Sequence, residues 1–305
     1  MGRQQPVRRL GVLQQAPRSS MRYRRRAHRR RRVAAVAIFV VAVAAVVAGV
    51  VLVVRALSTN THGAHVVRFT INAPLVHQSL PVAAVVPAGV GAGPRPLLIF
   101  LHGKGQDQNS NLDDAFYAAL ARLGSRAPDV VFPYGGADSY WHTRSSGAWG
   151  AYVLDEVIPD AIKRLGADPN RIAIGGISMG GFGALDLARL SPRRFCAVGA
   201  HSAAMWVTAG QTPAGAFDDA RDFALNNVIA LARHGDPYRG MAVWMDVGAA
   251  DPFRAADTTF ADALRHQGQK VDFHVWAGGH DQAYWDSHWG DYLGFYANAL
   301  AACHH

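Results

Sequence analysis

The sequence predicts an α/β architecture, a mostly parallel sheet with helices on both faces, preceded by one N-terminal transmembrane helix. Three observations predict it. From Val66 onward, short apolar runs of strand length alternate with stretches of helical pattern. One run, Leu97-Leu98-Ile99-Phe100-Leu101, is apolar at every position, as a strand covered on both faces should be. Residues 33–54 carry no charge over 22 positions, about 33 Å of helix at 1.5 Å per residue and enough to cross a bilayer.

Charge divides the chain in the same way. Residues 1–32 hold 12 of the 31 lysines and arginines and no acid, leaving 19 basic against 22 acidic residues in the rest. The formal charge of +9 therefore belongs to a short arm. A nucleic-acid-binding domain would spread basicity over a folded face, so that class is disfavoured. Buried helices show a polar face, and cleaved signal peptides have shorter apolar cores, so 33–54 reads as an uncleaved signal anchor. Arg29-Arg30-Arg31-Arg32 would stay cytoplasmic and sit among anionic lipid headgroups. The expected organisation is a basic arm at 1–32, the anchor at 33–54, a tether at 55–65 and an extracytoplasmic α/β domain at 66–305.

In that domain, residues 66–71 and 82–87 read as β segments, and the Gly- and Pro-rich 89–96 as a loop. The apolar run 97–101 follows, then a helix at 113–123 and a strand at 130–132. A helix at 152–165 contains Pro159. A strand at 172–175, a helix at 181–189 and a strand at 195–198 come next. Residues 207–240 fit no single pattern. A strand at 242–247, a helix at 258–267, a strand at 271–276 and a helix from about 289 to 302 complete the series.

The chemistry concentrates at Gly176-Ile177-Ser178-Met179-Gly180, between an apolar strand and a helix. A serine flanked by glycines at such a junction forms a nucleophile elbow, a sharp strained turn that projects the hydroxyl into a cleft. The partners of such a serine follow in the order acid, then histidine, on loops after strands. Asp251 follows the strand at 242–247, and His280 follows the strand at 271–276. Ser178 is thus the candidate nucleophile, His280 its base, and Asp251 the carboxylate that orients the imidazole. Asp246 is a rival acid inside a strand; His266, His274 and His288 are rival bases on a helix, in a strand and beyond the loop. A tetrahedral intermediate needs two aimed N–H donors. Met179 supplies one; the loop Leu101-His102-Gly103-Lys104-Gly105 supplies the other, assigned to Lys104 with Gly103 as its alternative.

Together LHGKG, GGISMGG, GAADPF and GGHDQAYW resemble the putative-esterase family of α/β-hydrolases, which includes esterase D-type enzymes, feruloyl esterases and mycolyltransferases. The resemblance covers about residues 66–302. It implies an α/β-hydrolase fold and a serine carboxylester hydrolase or acyltransferase without a cofactor, its triad falling on Ser178, Asp251 and His280. The substrate would be a small-molecule or lipid ester. Tyr140-Trp141-His142 resembles the aromatic segment before the family's helix with Glu-x-x-Pro, here Glu156 to Pro159. Trp141, His142, Trp149 and Trp285 are candidates to line an acyl or aromatic pocket, with aromatic packing under a loop as the alternative. His201 and Ser202 follow another strand and could face the cleft.

The exported compartment permits a bridge between Cys196 and Cys303, but two cysteines do not make a disulfide framework. Cys196, in an apolar run, is expected as a buried free thiol, and Cys303 lies near a terminus. Neither has metal-ligand spacing around it.

Overall fold

The computed structural model describes residues 59–89 and 93–303, together with the helical positions Val43 and Val46. The basic arm 1–32, the expected anchor 33–54 apart from those two valines, and residues 55–58 lie outside it. Among the described residues no helix is long and apolar enough to cross a membrane.

Eight strands form one sheet in the order β1-β2-β4-β3-β7-β8-β9-β10. Antiparallel β1 (His65–Ala73) and β2 (Gln78–Val86) make one edge, and β2 runs antiparallel to β4 (Asp129–Pro133). From β4 the sheet is parallel through β3 (Leu97–Leu101), β7 (Ile172–Ile177), β8 (Ala197–His201), β9 (Ala242–Gly248) and β10 (Val271–Trp276). A small hairpin, β5 (Thr143–Arg144) and β6 (Gly147–Ala148), stands apart.

Strand alternation separates two cores. Leu97, Ile99 and Leu101 join one with α2 (Ile158–Leu165), α3 (Met179–Leu190), α5 (Val228–His234) and α6 (Arg254–His266). Leu98 and Phe100 face the other, where α1 (Asp114–Arg122) and α7 (Gln282–Ala301) supply Phe116, Trp289, Tyr292 and Tyr296. Pro159 is accommodated because a π-helical turn, Tyr152–Val157, precedes α2 and puts the proline in its first turn. The missing N–H does least harm there.

Several boundaries differ from the sequence expectation. Helix α7 begins at Gln282 instead of about 289, because Asp281 caps it by accepting the Tyr284 N–H. Helix α6 begins at Arg254. The unplaced stretch 207–240 contains α4 (Ala220–Asn226) and α5, each capped by the side chain before it, Asp219 and Asn227. The free thiol expected at Cys196 is corrected: Cys196 and Cys303 form a disulfide, because α7 brings the far end of the chain back to the start of β8. Pairing across 107 residues depends on that tertiary return, which no local pattern announces.

Candidate active site

Ser178 joins β7 to α3, capping the helix with φ 57° and ψ −114°, a region that L-residues rarely occupy. What permits it is the absence of side chains on either side. A Cβ at Gly176 would lie 2.5 Å from the Gly180 carbonyl, and one at Gly180 would lie 2.0 Å from the Leu101 oxygen. The turn is clamped from behind: Ser178 donates its N–H to His201 O (2.9 Å), and its own carbonyl accepts from Phe182 N and Ala204 N.

Three side chains from three loops meet at this turn. His280 Nε2 is 2.9 Å from Ser178 Oγ, and His280 Nδ1 is 2.8 Å from Asp251 Oδ2. With Nδ1–H donated to the carboxylate, Nε2 is the acceptor for the serine hydroxyl. The other Asp251 oxygen accepts the Phe253 N–H at 2.8 Å. Burial alone would push the Asp251 carboxyl up; the hydrogen bonds from His280 and Phe253 outweigh it and hold the carboxyl below its usual range. The loops of Asp251 and His280 are joined by Ala249 N to Trp276 O (2.7 Å) and Ala250 N to Gly278 O (2.9 Å). The imidazole is wedged edge-on between Phe253, at 5.0 Å, and Trp285, at 5.2 Å. Its side chain keeps 23% of its surface open, so the site is reachable.

Met179 N–H lies at the first position of α3, where an amide has no partner within its own helix. On the facing loop, Gly103 donates its N–H to Gln106 Oε1 at 2.9 Å, which engages one of the two amides left open by the sequence. His102 fastens this loop. Its Nδ1–H reaches Gly103 O at 2.8 Å, and its Nε2 accepts Gly135 N–H at 3.1 Å. Burial drives the His102 pKa down to about 4, keeping the ring neutral with one donor and one acceptor. The sequence reading assigned His102 no role of its own; the signal was its place at the head of the His-Gly-x-Gly pattern.

The expected pocket residues are distributed differently. Trp141 and His201 have no exposed surface, so neither presents an edge to a ligand. The Trp141 ring is packed against Gly183 and Gly135 and donates Nε1–H to His102 O at 3.2 Å, which makes it a second prop of the loop. His142, also buried, pairs through Nε2 with Asp222 Oδ2 at 3.0 Å and ties down the first turn of α4, Ala220–Asn226. His201 lies in a buried network with Asp246: Nδ1 to Asp246 Oδ1 at 2.6 Å and Nε2 to Tyr296 Oη at 2.9 Å. Trp285 is buried beside His280 and acts on the imidazole, while Trp149 is packed against Tyr152. Ser202, next to His201, is buried as well.

The rivals are placed elsewhere. Asp246 accepts from His201, Trp244, Tyr284 and Tyr292, all inside the core. His266 is exposed at the end of α6, His274 pairs with Asp272 on β10, and His288 stacks on Trp276. Among the described residues no cluster of metal-ligating side chains occurs.

Comparison with known proteins agrees with this architecture. The family model described as putative esterase matches residues 76–293. A ferulic acid esterase superposes with a TM-score of 0.69 at 24% identity, over 77% of this chain and 98% of that one. The MPT51 antigen of Mycobacterium leprae is 42% identical over 82 residues, 25% of this chain and 27% of the relative. An iron(III) enterobactin esterase of Dickeya dadantii is 28% identical over 202 residues, 63% of this chain and 45% of the relative. The matches thus span between a quarter and half the length of these two curated relatives.

Proposed function

The chain belongs to the putative esterase family, and from that premise we propose that it is a serine carboxylester hydrolase working through Ser178, His280 and Asp251. The observation that carries this reading is the unbroken hydrogen-bond line from Asp251 through His280 to a serine held in a strained turn. Ser178 Oγ attacks the acyl carbon as His280 Nε2 takes its proton, and Asp251 stabilises the imidazolium. Met179 and Lys104 N–H groups receive the oxyanion, the latter favoured because the Gly103 amide is engaged by Gln106. The tetrahedral carbon then expels the alcohol oxygen, which leaves with the proton from Nε2. Water, deprotonated by the same nitrogen, cleaves the acyl-serine, releases the acid and restores the hydroxyl. No cofactor is needed for these steps.

A fluorophosphonate probe should label Ser178, and Ser178→Ala should lose both labelling and ester cleavage. Cleavage that survives in the alanine variant would remove the reading. An acceptor alcohol can replace water in the second step, which makes acyl transfer to a sugar or lipid alcohol the second reading. Measuring free acid against transferred ester, with a sugar or lipid alcohol present, separates the two. A non-catalytic envelope-binding protein would fail both labelling and turnover.

The proposal includes a location. The uncharged stretch 33–54 behind four arginines supports a single-pass anchor with a cytoplasmic N-terminus. The Cys196–Cys303 disulfide supports a catalytic unit beyond the membrane, where thiols oxidise. Protease added to intact cells should degrade the catalytic unit; complete protection would place it inside.

A further inference from the structure

Beside Asp251 and His280 lies a cavity of about 410 Å³, lined by Met205, Trp206, Val207, Pro213, Pro252 and Phe253 along with Gln211, Ala255 and Ala256. We propose that this cavity receives an uncharged, apolar group attached directly to the scissile ester, and so sets the substrate class of the site. The inference rests on the serine esterase reading above.

Pro252 and Phe253 follow Asp251 in the chain, and the Phe253 ring meets His280 edge-on at 5.0 Å. Met205 and Trp206 follow Ala204, whose N–H holds the Ser178 carbonyl at 3.0 Å. Both walls therefore grow out of the segments that fix the reacting groups. A larger cavity, about 530 Å³ at Pro169–Asn170 and Leu190–Arg194, opens at the strand ends opposite the site and shares no residue with it.

The lining then selects the chemistry. No lining residue is charged. Its one amide, Gln211, is turned into its own backbone, Oε1 accepting Val207 N (3.1 Å) and Thr208 N (3.0 Å). A carboxylate or ammonium entering here would give up part of its water shell and meet no charge of opposite sign. An alkyl or aryl group loses nothing, and the volume falls at the lower end of ligand pockets.

The walls are also rigid. Trp206 is held edge-on against Phe253 at 5.5 Å and Phe217 at 6.1 Å, and leans on Tyr140 at 5.7 Å. The segment bearing Phe217 is pinned by Arg144, whose Nη1 reaches Gly215 O at 2.7 Å and whose Nε reaches Asp218 Oδ1 at 3.2 Å. A fixed apolar slot discriminates by size, about tenfold or more for each methylene that fits or fails.

Two ester series test this: p-nitrophenyl esters of two- to eight-carbon acids, and acetates of alcohols of rising size. Wild type should prefer longer members of one series, which identifies whether the acyl or the alcohol group occupies the cavity. Replacing a terminal methyl of that group by carboxylate should lower kcat/KM at least tenfold. Val207→Trp should lower the long-to-short ratio of kcat/KM at least tenfold. Should that variant not fold, Ala255→Trp fills the cavity from its exposed rim. Ratios unchanged in both series by a folded variant, with turnover still measurable, would overturn the cavity assignment and leave the esterase reading intact. Wild type that neither turns over any ester nor reacts with fluorophosphonate would remove both.

Discussion

The α-carbon of Gly180 faces the carbonyl oxygen of Leu101 so closely that a Cβ would come within 2.0 Å of it. Both atoms belong to backbone, one at the first turn of α3 and the other at the end of β3, so neither can swing aside. Gly180→Ala must therefore separate strand from helix at the turn that carries Ser178. The expected loss is about 3 kcal/mol, the upper end of overpacking effects. Thermal denaturation with fluorophosphonate labelling checks it: both should fall together, and an alanine variant with wild-type melting would refute the backbone clash.

Two carboxylates five positions apart, Asp246 and Asp251, have opposite expected consequences. Asp251→Asn should lower kcat by about 10³–10⁴ with little change in melting, because it alters the partner of the His280 ring and keeps its shape. Asp246→Ala should act on stability instead. It orphans the His201 imidazole, the Trp244 indole and the Tyr284 and Tyr292 hydroxyls in the core. Breaking such a network costs about 3–5 kcal/mol. Melting curves and kcat for both variants decide the matter, and a reversed pattern would make Asp246 the functional acid.

Legibility in the sequence followed the range of the interaction. Ser178, Asp251 and His280 could be read because each occupies the loop directly after an apolar strand, in an order that the fold constrains. The parallel sheet was legible for the same reason, strands such as 97–101 and 172–175 being apolar throughout. Trp141, His142 and His201 were left between two readings because an aromatic or imidazole ring reads alike whether it lines a cleft or props a loop. Only the partners distinguish them: His102 O for Trp141, Asp222 for His142, Asp246 for His201. The cavity wall at Met205–Pro213 was illegible because it is mostly irregular backbone with no period to detect.

The disulfide makes a prediction of its own. Cys196–Cys303 closes a loop of 107 residues in separation and ties the end of α7 to the start of β8. Cross-links of that span restrict the unfolded chain enough to stabilise by about 2–5 kcal/mol. Cys303→Ser should lower Tm by about 10 °C, given about 2–4 °C per kcal/mol for a unit of this size. Thiol reductant should lower wild-type Tm equally and leave the variant unmoved. Equal response of both proteins to reductant would mean that the bond is not formed.

Asp113 gives the folded state a distinctive pH dependence. Its carboxyl caps α1 by accepting the Phe116 N–H at 2.8 Å. Burial, with the neighbouring Asp286 adding to it, raises its pKa from 3.8 to about 6. Gln282 stands between the two acids, Nε2 at 2.6 Å from Asp286 and 3.5 Å from Asp113. The folded chain therefore holds a proton here that the unfolded chain releases near pH 4. Between about pH 4 and 6 the folded state binds more protons, so this group's contribution to stability declines as pH rises and is level above that window. Asp129, Asp186 and Asp257, raised by burial, act in the same direction, and Asp251 and Asp107, with depressed carboxyl pKa values, act in the opposite one. Their slope is common to wild type and Asp113→Asn, so the difference between the two isolates Asp113. Asparagine keeps the cap without the titration. Urea unfolding at half-unit steps from pH 4 to 7 should show the variant gaining on wild type as pH rises to about 6, then running parallel. A constant difference across the range would mean that Asp113 titrates normally.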